Sequence, residues 1–159
     1  MKNIQFITYK DEYLKDIYKF VFNIMVKDVK KDPKQLKIEL KDLENINKTY
    51  IKKNGCFYIA INNENKVVGT IGLIYKRGRW EIKRFYIDAS YRGKGIGKKL
   101  YSMVENNLKN RNIDELYIVV GNNLKIAKEI YIKWGFFESK IQNDKNNTEL
   151  KKILKYGNN

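Results

Sequence analysis

The sequence predicts a mixed α/β domain, with a central sheet of about seven strands and helices packed against it. Three observations carry that expectation. Short runs rich in β-branched and aromatic residues alternate with longer segments whose apolar residues recur every three or four positions. In the second half these two kinds of segment follow one another strand by helix, which requires crossover connections and parallel pairing near the middle of the sheet. No linker, repeat or block of like charge interrupts the 159 residues, so a single domain is expected over residues 1–159.

The elements follow in order. Residues 3–9 read as a first strand. Leu14, Ile17, Tyr18, Val21, Ile24 and Met25 then recur at helical spacing behind Asp11, a candidate N-cap. Pro33 suits the first turn of a second helix, with Leu36, Leu40 and Leu43 on one side. Residues 56–61 and 66–75 form strands around the turn Asn62-Asn63-Glu64-Asn65, and residues 80–88 form another after Arg77-Gly78-Arg79. A glycine-rich turn then leads into a helix with Ile96, Leu100, Met103, Val104 and Leu108 as its buried stripe. A strand at 115–120, a helix over about 123–134 and closing strands at 136–141 and 150–155 complete the chain.

Composition excludes much chemistry. With no histidine, Ser-His-Asp and Cys-His nucleophile systems and the two-histidine zinc helix are ruled out. Catalysis is left to tyrosine, carboxylate, lysine or backbone groups. The lone Cys56 permits neither an internal disulfide nor a cysteine-pair zinc or redox motif; it reads as a small buried strand residue and suits a reducing compartment. No metal is expected. Neither a signal-peptide core nor an apolar run of bilayer length is present, so a cytoplasmic protein without a membrane partner is expected. The net charge of +15 favours phosphate-bearing partners, although lysine-rich, asparagine-rich composition accounts equally well for much of it.

The most specific feature is Arg92-Gly93-Lys94-Gly95-Ile96-Gly97-Lys98, between a strand end and an amphipathic helix. Alternate glycines let backbone N–H groups turn inward together, and the first helical turn adds unpaired donors and a positive dipole end, which suits a phosphate or pyrophosphate. A dinucleotide fingerprint needs glycine where Lys98 stands; a P-loop needs glycine at Arg92 and Ser or Thr at Lys99. Both templates fail. A glycine turn ahead of an ordinary surface helix is the plain alternative.

The residues Arg92-Gly93-Lys94-Gly95-Ile96-Gly97 resemble the R-x-x-G-x-G pyrophosphate loop of the GNAT superfamily of N-acetyltransferases. The preceding residues, from Phe85 to Tyr91, are similar to that family's L-Y-V-x-P-x-Y approach, with Ala89 in place of proline. Ala127 to Phe136 is similar to its A-x-x-x-Y-x-x-x-G-F segment, and the order of elements is the family's. The resemblance implies a GNAT-like sheet whose central parallel strands splay apart to hold acetyl-CoA as co-substrate. It places the pyrophosphate on the loop of Arg92, Gly93, Lys94, Gly95, Ile96, Gly97 and Lys98. It pairs the backbone of Phe85, Tyr86 and Ile87 with the pantetheine arm, an N–H near Ile87 polarising the thioester carbonyl. The family often carries asparagine where this chain has Leu124, and the neighbouring Asn123 or Asn122 stands in.

Two side chains are candidates for proton transfer. By the resemblance Tyr131 protonates the departing thiolate; a phenol with pKa about 10 gives its proton to a thiolate of conjugate pKa about 8.5 slightly uphill. Ala127, Ile130, Tyr131 and Trp134 equally form a core stripe. Glu81, on the strand feeding the loop, is the candidate base, directly or through water. Strand alternation puts Glu81, Lys83, Phe85 and Ile87 on one face; the plain alternative is a solvated carboxylate paired with Lys83 or Arg79.

Residues 26–43 mix lysines with Asp28, Asp32, Glu39 and Asp42, so no acidic pocket for a polycation stands out. The expected acceptor is a small-molecule amine, an amino-acid derivative or a protein amine, and a homodimer is left open. Two other classes compete. A basic nucleic-acid-binding module has the charge and the aromatics but no recognition signature, so no nucleic-acid partner is expected. A catalytically silent CoA-binding sensor keeps the fold without the chemistry.

Overall fold

The computed structural model describes residues 3–139 and 144–155. Its strands are β1 (Gln5–Thr8), β2 (Cys56–Ile61), β3 (Val67–Lys76), β4 (Arg79–Ile87), β5 (Glu115–Gly121), β6 (Phe137–Glu138) and β7 (Asn147–Ile153). They form one sheet in the order β1-β2-β3-β4-β5-β7-β6. Every neighbouring pair is antiparallel except β4 and β5, as the strand-by-helix order requires. Of the expected closing strand at 136–141, Phe137–Glu138 is paired, Phe136 is buried, and positions 140 and 141 lie outside the described residues.

The helices cover both faces. On one, α1 (Leu14–Lys27), α2 (Pro33–Glu39) and α3 (Ile46–Thr49), with the turns that follow α2 and α3, bury Ile17, Val21, Met25, Leu36, Leu40, Leu43, Ile46 and Tyr50 against Phe57, Ile59 and Ile61. On the other, α4 (Ile96–Lys109) and α5 (Lys125–Lys133) pack Ile96, Leu100, Val104, Leu108 and Tyr131 against β3, β4, β5 and β7. Met103 is half-buried, and Tyr101 is buried beside that stripe.

Local signals differ from expectation at two points. Asp11 caps no helix: it lies in a short 3-10 turn, Asp11–Tyr13, and its carboxylate accepts from the Tyr9 hydroxyl at 2.7 Å. The second helix does open at Pro33, and Asp32 caps it by accepting from Lys34 N–H. The last helix is shorter than 123–134 because Asn122 and Asn123 form the turn after β5, and Ile130 of its supposed stripe is exposed.

The largest correction concerns β4. Gly72 pairs with Lys83 and Thr70 with Tyr86, so β4 carries one more residue than β3 between those rungs. This is a β-bulge, and Arg84 sits in it with φ +52°. An extra residue reverses strand alternation. Glu81, whose cross-strand partner is Ile74, faces the α1 layer with Ile74 and Tyr86, whereas Phe85 and Ile87 face α4. Glu81 and Lys83 therefore do not share a face with Phe85 and Ile87.

Candidate active site

Beyond the bulge, β4 and β5 separate. Their parallel pairing consists of Glu81 with Tyr117 and Ile82 with Ile118, after which β4 turns through Arg84 while β5 continues to Gly121. Asp88 N–H donates to Val68 O at 2.9 Å, so the 88/68 and 86/70 rungs carry the hydrogen bonds and 87/69 is a non-bonded rung. The N–H and C=O of Ile87 consequently point away from β3 into the gap beside β5. Tyr86, in contrast, spends its backbone groups on β3.

The glycine loop lies at the mouth of this gap. Gly93 (φ +73°) and Gly95 (φ +80°) take left-handed conformations that disfavour any Cβ, and Gly95 precedes the first helical residue of α4. The first bond of that helix runs from Lys99 N–H to Gly95 O, leaving the N–H groups of Ile96, Gly97 and Lys98 ahead of the ladder. Lys98 is exposed, and Lys94 hydrogen-bonds Ser90 O at 3.0 Å above the Tyr91 ring. Arg92 is engaged: Nε donates to Ile87 O at 3.0 Å and the guanidinium pairs with Asp28 beyond α1. It thus ties the loop to the strand and to the α1 layer.

Tyr131 enters from α5. Its ring stands 6.1 Å from Phe85, 5.9 Å from Trp134 and 5.9 Å from Phe136, and the residue is buried. Burial, with a smaller effect from the Tyr86 phenol, pushes its hydroxyl well above the ordinary phenol value, which keeps the proton on oxygen. The core-stripe and donor readings thus describe one side chain, packed by its ring. At the end of β5 the two asparagines divide. Asn122 is tied to Lys145 O and to the Thr148 hydroxyl, whereas Asn123 is exposed and makes no side-chain hydrogen bond among the described residues.

Glu81 is neither solvated nor alone. It is 3% exposed, on the last rungs before the strands part, with Arg79 at 3.3 Å and Lys83 at 3.5 Å. Arg79 also holds Glu149 of β7 at 2.7 Å, its guanidinium 4.5 Å over the Tyr117 ring. Burial works to raise the Glu149 carboxyl, but hydrogen bonds from Arg79 and Ser139 and the charges of Arg79 and Arg77 outweigh it and hold it below the ordinary carboxylate range. Sequence reading missed this pair of carboxylates, 68 positions apart (149 minus 81), because only the β4-β5-β7 order brings them together.

A second network was also invisible. Arg84 forks onto Asp42, with Tyr50 donating to the same carboxylate at 2.6 Å. Burial works to raise Asp42, but Arg84's hydrogen bonds and charge and the Tyr50 hydroxyl prevail and hold it below the usual range. A depressed carboxyl contributes stability that is full above its unfolded value, about 3.9, and is lost as pH falls through the lower folded value. Asp42→Asn is therefore expected to lower Tm at pH 7 and to flatten the decline below about pH 4, read by thermal melts across pH. Cys56 is buried in β2, and burial pushes its thiol up to about 11, as an inert core residue requires.

Known proteins share this fold. Residues 15–136 match the Acetyltransferase (GNAT) family. A GNAT-family acetyltransferase from Staphylococcus aureus Mu50 is 32% identical, with TM-score 0.85 over 96% of this chain and 99% of that one. A PaiA N-acetyltransferase from Thermoplasma acidophilum, solved with coenzyme A, is 19% identical with TM-score 0.79, covering 94% of this chain and 98% of that one. Human N-acetyltransferase 8B is 29% identical over 102 residues, 60% of this chain, and the match spans 44% of that longer protein. With the family match extending from α1 to the end of α5 and the S. aureus likeness covering nearly every element, the chain belongs to the GNAT family of acetyltransferases.

Proposed function

We propose that this protein transfers an acetyl group from acetyl-CoA to an amine by direct attack on the thioester. The observation that carries the reading is the gap beyond Ile82 and Ile118, into which the Ile87 N–H points, beside the free donors of the α4 N-terminus and with the Tyr131 ring packed against Phe85. The residues fit the co-substrate. Gly93, Lys94, Gly95, Ile96, Gly97 and Lys98 offer N–H groups and charge to the pyrophosphate, and Arg92 holds the loop in place. Phe85 and Ile87 pair with the pantetheine arm, Tyr86 keeps that segment on β3, and Asn123 borders the far side. The bound thioester supplies an activated acetyl group. Ile87 N–H polarises its carbonyl, and the amine forms the C–N bond as the C–S bond breaks. Tyr131 gives its proton to the sulfur; Glu81, directly or through water, takes one from the amine.

Glu81 faces the α1 layer, so the acceptor approaches from that side of the sheet and the co-substrate from the α4 side. Both local carboxylates, Glu81 and Glu149, are engaged by Arg79, which supports a monocationic acceptor such as a small amine, an amino-acid derivative or a protein amine over a polycation. The nucleic-acid reading is disfavoured because aromatics such as Tyr50, Phe57, Tyr101, Tyr117 and Phe136 are buried, away from any base. No helix among the described residues is long and apolar enough to cross a membrane, and the single buried thiol suits a cytoplasmic setting.

Thermal unfolding with acetyl-CoA, with ATP at equal concentration as the control, tests the reading. At one hundred times Kd the ligand adds about 2.7 kcal/mol, a rise of about 5 to 10 °C for a domain of this size. An equal rise with ATP, or none with acetyl-CoA, would sink the proposal. A specific rise without release of free CoA from acetyl-CoA in the presence of any amine of a broad panel would instead favour the silent sensor.

A further inference from the structure

The bulge that opens the gap is held from two sides. The carbonyl of Arg84 is satisfied by the hydroxyl of Thr70, fully buried on β3, which donates to it at 2.7 Å. The Arg84 side chain crosses to the α1 layer and forks onto Asp42, Nε to Oδ2 at 3.0 Å and Nη2 to Oδ1 at 2.7 Å. Nη2 also donates to Glu39 O at 2.5 Å, and Nη1 rests 3.7 Å from the Met25 sulfur. Asp42 cannot easily yield. It lies in the 3-10 turn Lys41–Glu44 between Leu40 and Leu43, both fully buried, and Tyr50 holds its second lone-pair direction.

Backbone preference alone does not place the bulge here. A left-handed φ is uncommon for a residue with a Cβ, and arginine has no special tolerance for it. Yet its presence decides the chemistry. Without an extra residue before Phe85, Ile87 would pair with Val68, Phe85 and Ile87 would exchange faces with Tyr86, and the Ile87 N–H would turn from the gap toward β3.

We propose that the Arg84–Asp42 pair is a positioning device for the co-substrate arm of β4: by fixing the extra residue at 84 it presents the backbone of Phe85 and Ile87 to the gap between β4 and β5. This inference rests on the acetyl-transfer reading above. Neither residue touches the reacting atoms; both act through the strand. The planar guanidinium matters because its fork sets an orientation as well as a charge, which an ammonium does not. The pair also links the arm to the segment after α2, on the side from which the acceptor approaches.

The test uses Arg84→Ala, Arg84→Lys and Asp42→Asn, each studied well below its melting temperature. Amide hydrogen exchange without ligand reads the arm itself, and titration calorimetry reads acetyl-CoA affinity. In Arg84→Ala, exchange at Tyr86 and Asp88, the amides that tie the arm to β3, is expected to rise by more than that of Phe57 and Ile59 in β2. Acetyl-CoA affinity is expected to fall about 10- to 100-fold, as the loss of one or two backbone hydrogen bonds to the ligand does. Arg84→Lys should recover part of both effects, and Asp42→Asn, which keeps a neutral acceptor, carries the same test if Arg84→Ala does not fold. Exchange rising equally in β2 and β4, with parent affinity retained, would show a pair that only adds stability and would overturn the proposal alone. Absence of binding heat from the parent protein would overturn the acetyl-transfer reading as well, and the two failures are thereby distinguished.

Discussion

Tyr131→Phe is expected to lower kcat by about 10²-fold or more while acetyl-CoA binding is unchanged, the signature of a lost proton donor. The substitution is clean. The ring keeps its contacts with Phe85, Trp134 and Phe136, and the hydroxyl has no hydrogen-bond partner among the described residues, so its removal orphans nothing. Melting temperature should therefore hold, which separates a chemical effect from a folding one. Because burial raises the phenol, no loss of rate from Tyr131 ionisation is expected up to about pH 10, the ordinary phenol value. The raised value also makes proton donation to sulfur harder, so a bound geometry that brings the thiolate within hydrogen-bond reach must compensate. A pH–rate profile and a kcat unchanged in the Phe variant would assign protonation of the thiolate to solvent.

Gly55→Ala is expected to cost about 3 kcal/mol or more and to lower Tm by about 6 to 12 °C, measured by denaturant and thermal unfolding. A Cβ at position 55 would stand 2.1 Å from Leu73 O and 2.9 Å from Tyr50 O. Both are backbone atoms, which cannot swing aside as a side chain can. Gly55 leads the chain from the 3-10 turn Ile51–Lys53 into β2, and its N–H donates to Tyr50 O. Relief of the clash would shift β2 against β3 at Cys56 and Leu73 or displace Tyr50, whose ring packs edge-on to Phe57 and whose hydroxyl braces Asp42. A variant of parent stability would show that β2 has room the structure denies it.

Much of the molecule was legible one residue at a time. Apolar periodicity located α1 and α4, the alternating runs located β2, β3 and β5, and Pro33 marked the start of α2, because each signal is local to the segment that it describes. The glycine loop was legible for the same reason: positive φ at Gly93 and Gly95 and the donors of α4 are consequences of adjacent residues. Caps and ends were less so, as Asp11, which accepts from Tyr9 and caps no helix, and the short last helix show, since competition among neighbouring donors and acceptors decides them.

What sequence alone determined, then, was the fold class, the glycine loop ahead of α4 and the absence of histidine and disulfide chemistry, all set by composition and short-range pattern. Tertiary structure alone decided which face each β4 side chain takes. The bulge at Arg84 carries no sequence signature of its own, because the residue there is not glycine and its anchor, Asp42, lies 42 positions earlier. The same holds for Glu149, which reaches Arg79 and Glu81 only through the pairing of β7 with β5. A strand period of two fixes alternation but not the place where it is interrupted. That place is set by hydrogen bonds and charge pairs between elements distant in the chain, and here it puts Glu81 and Phe85 on opposite sides of the sheet.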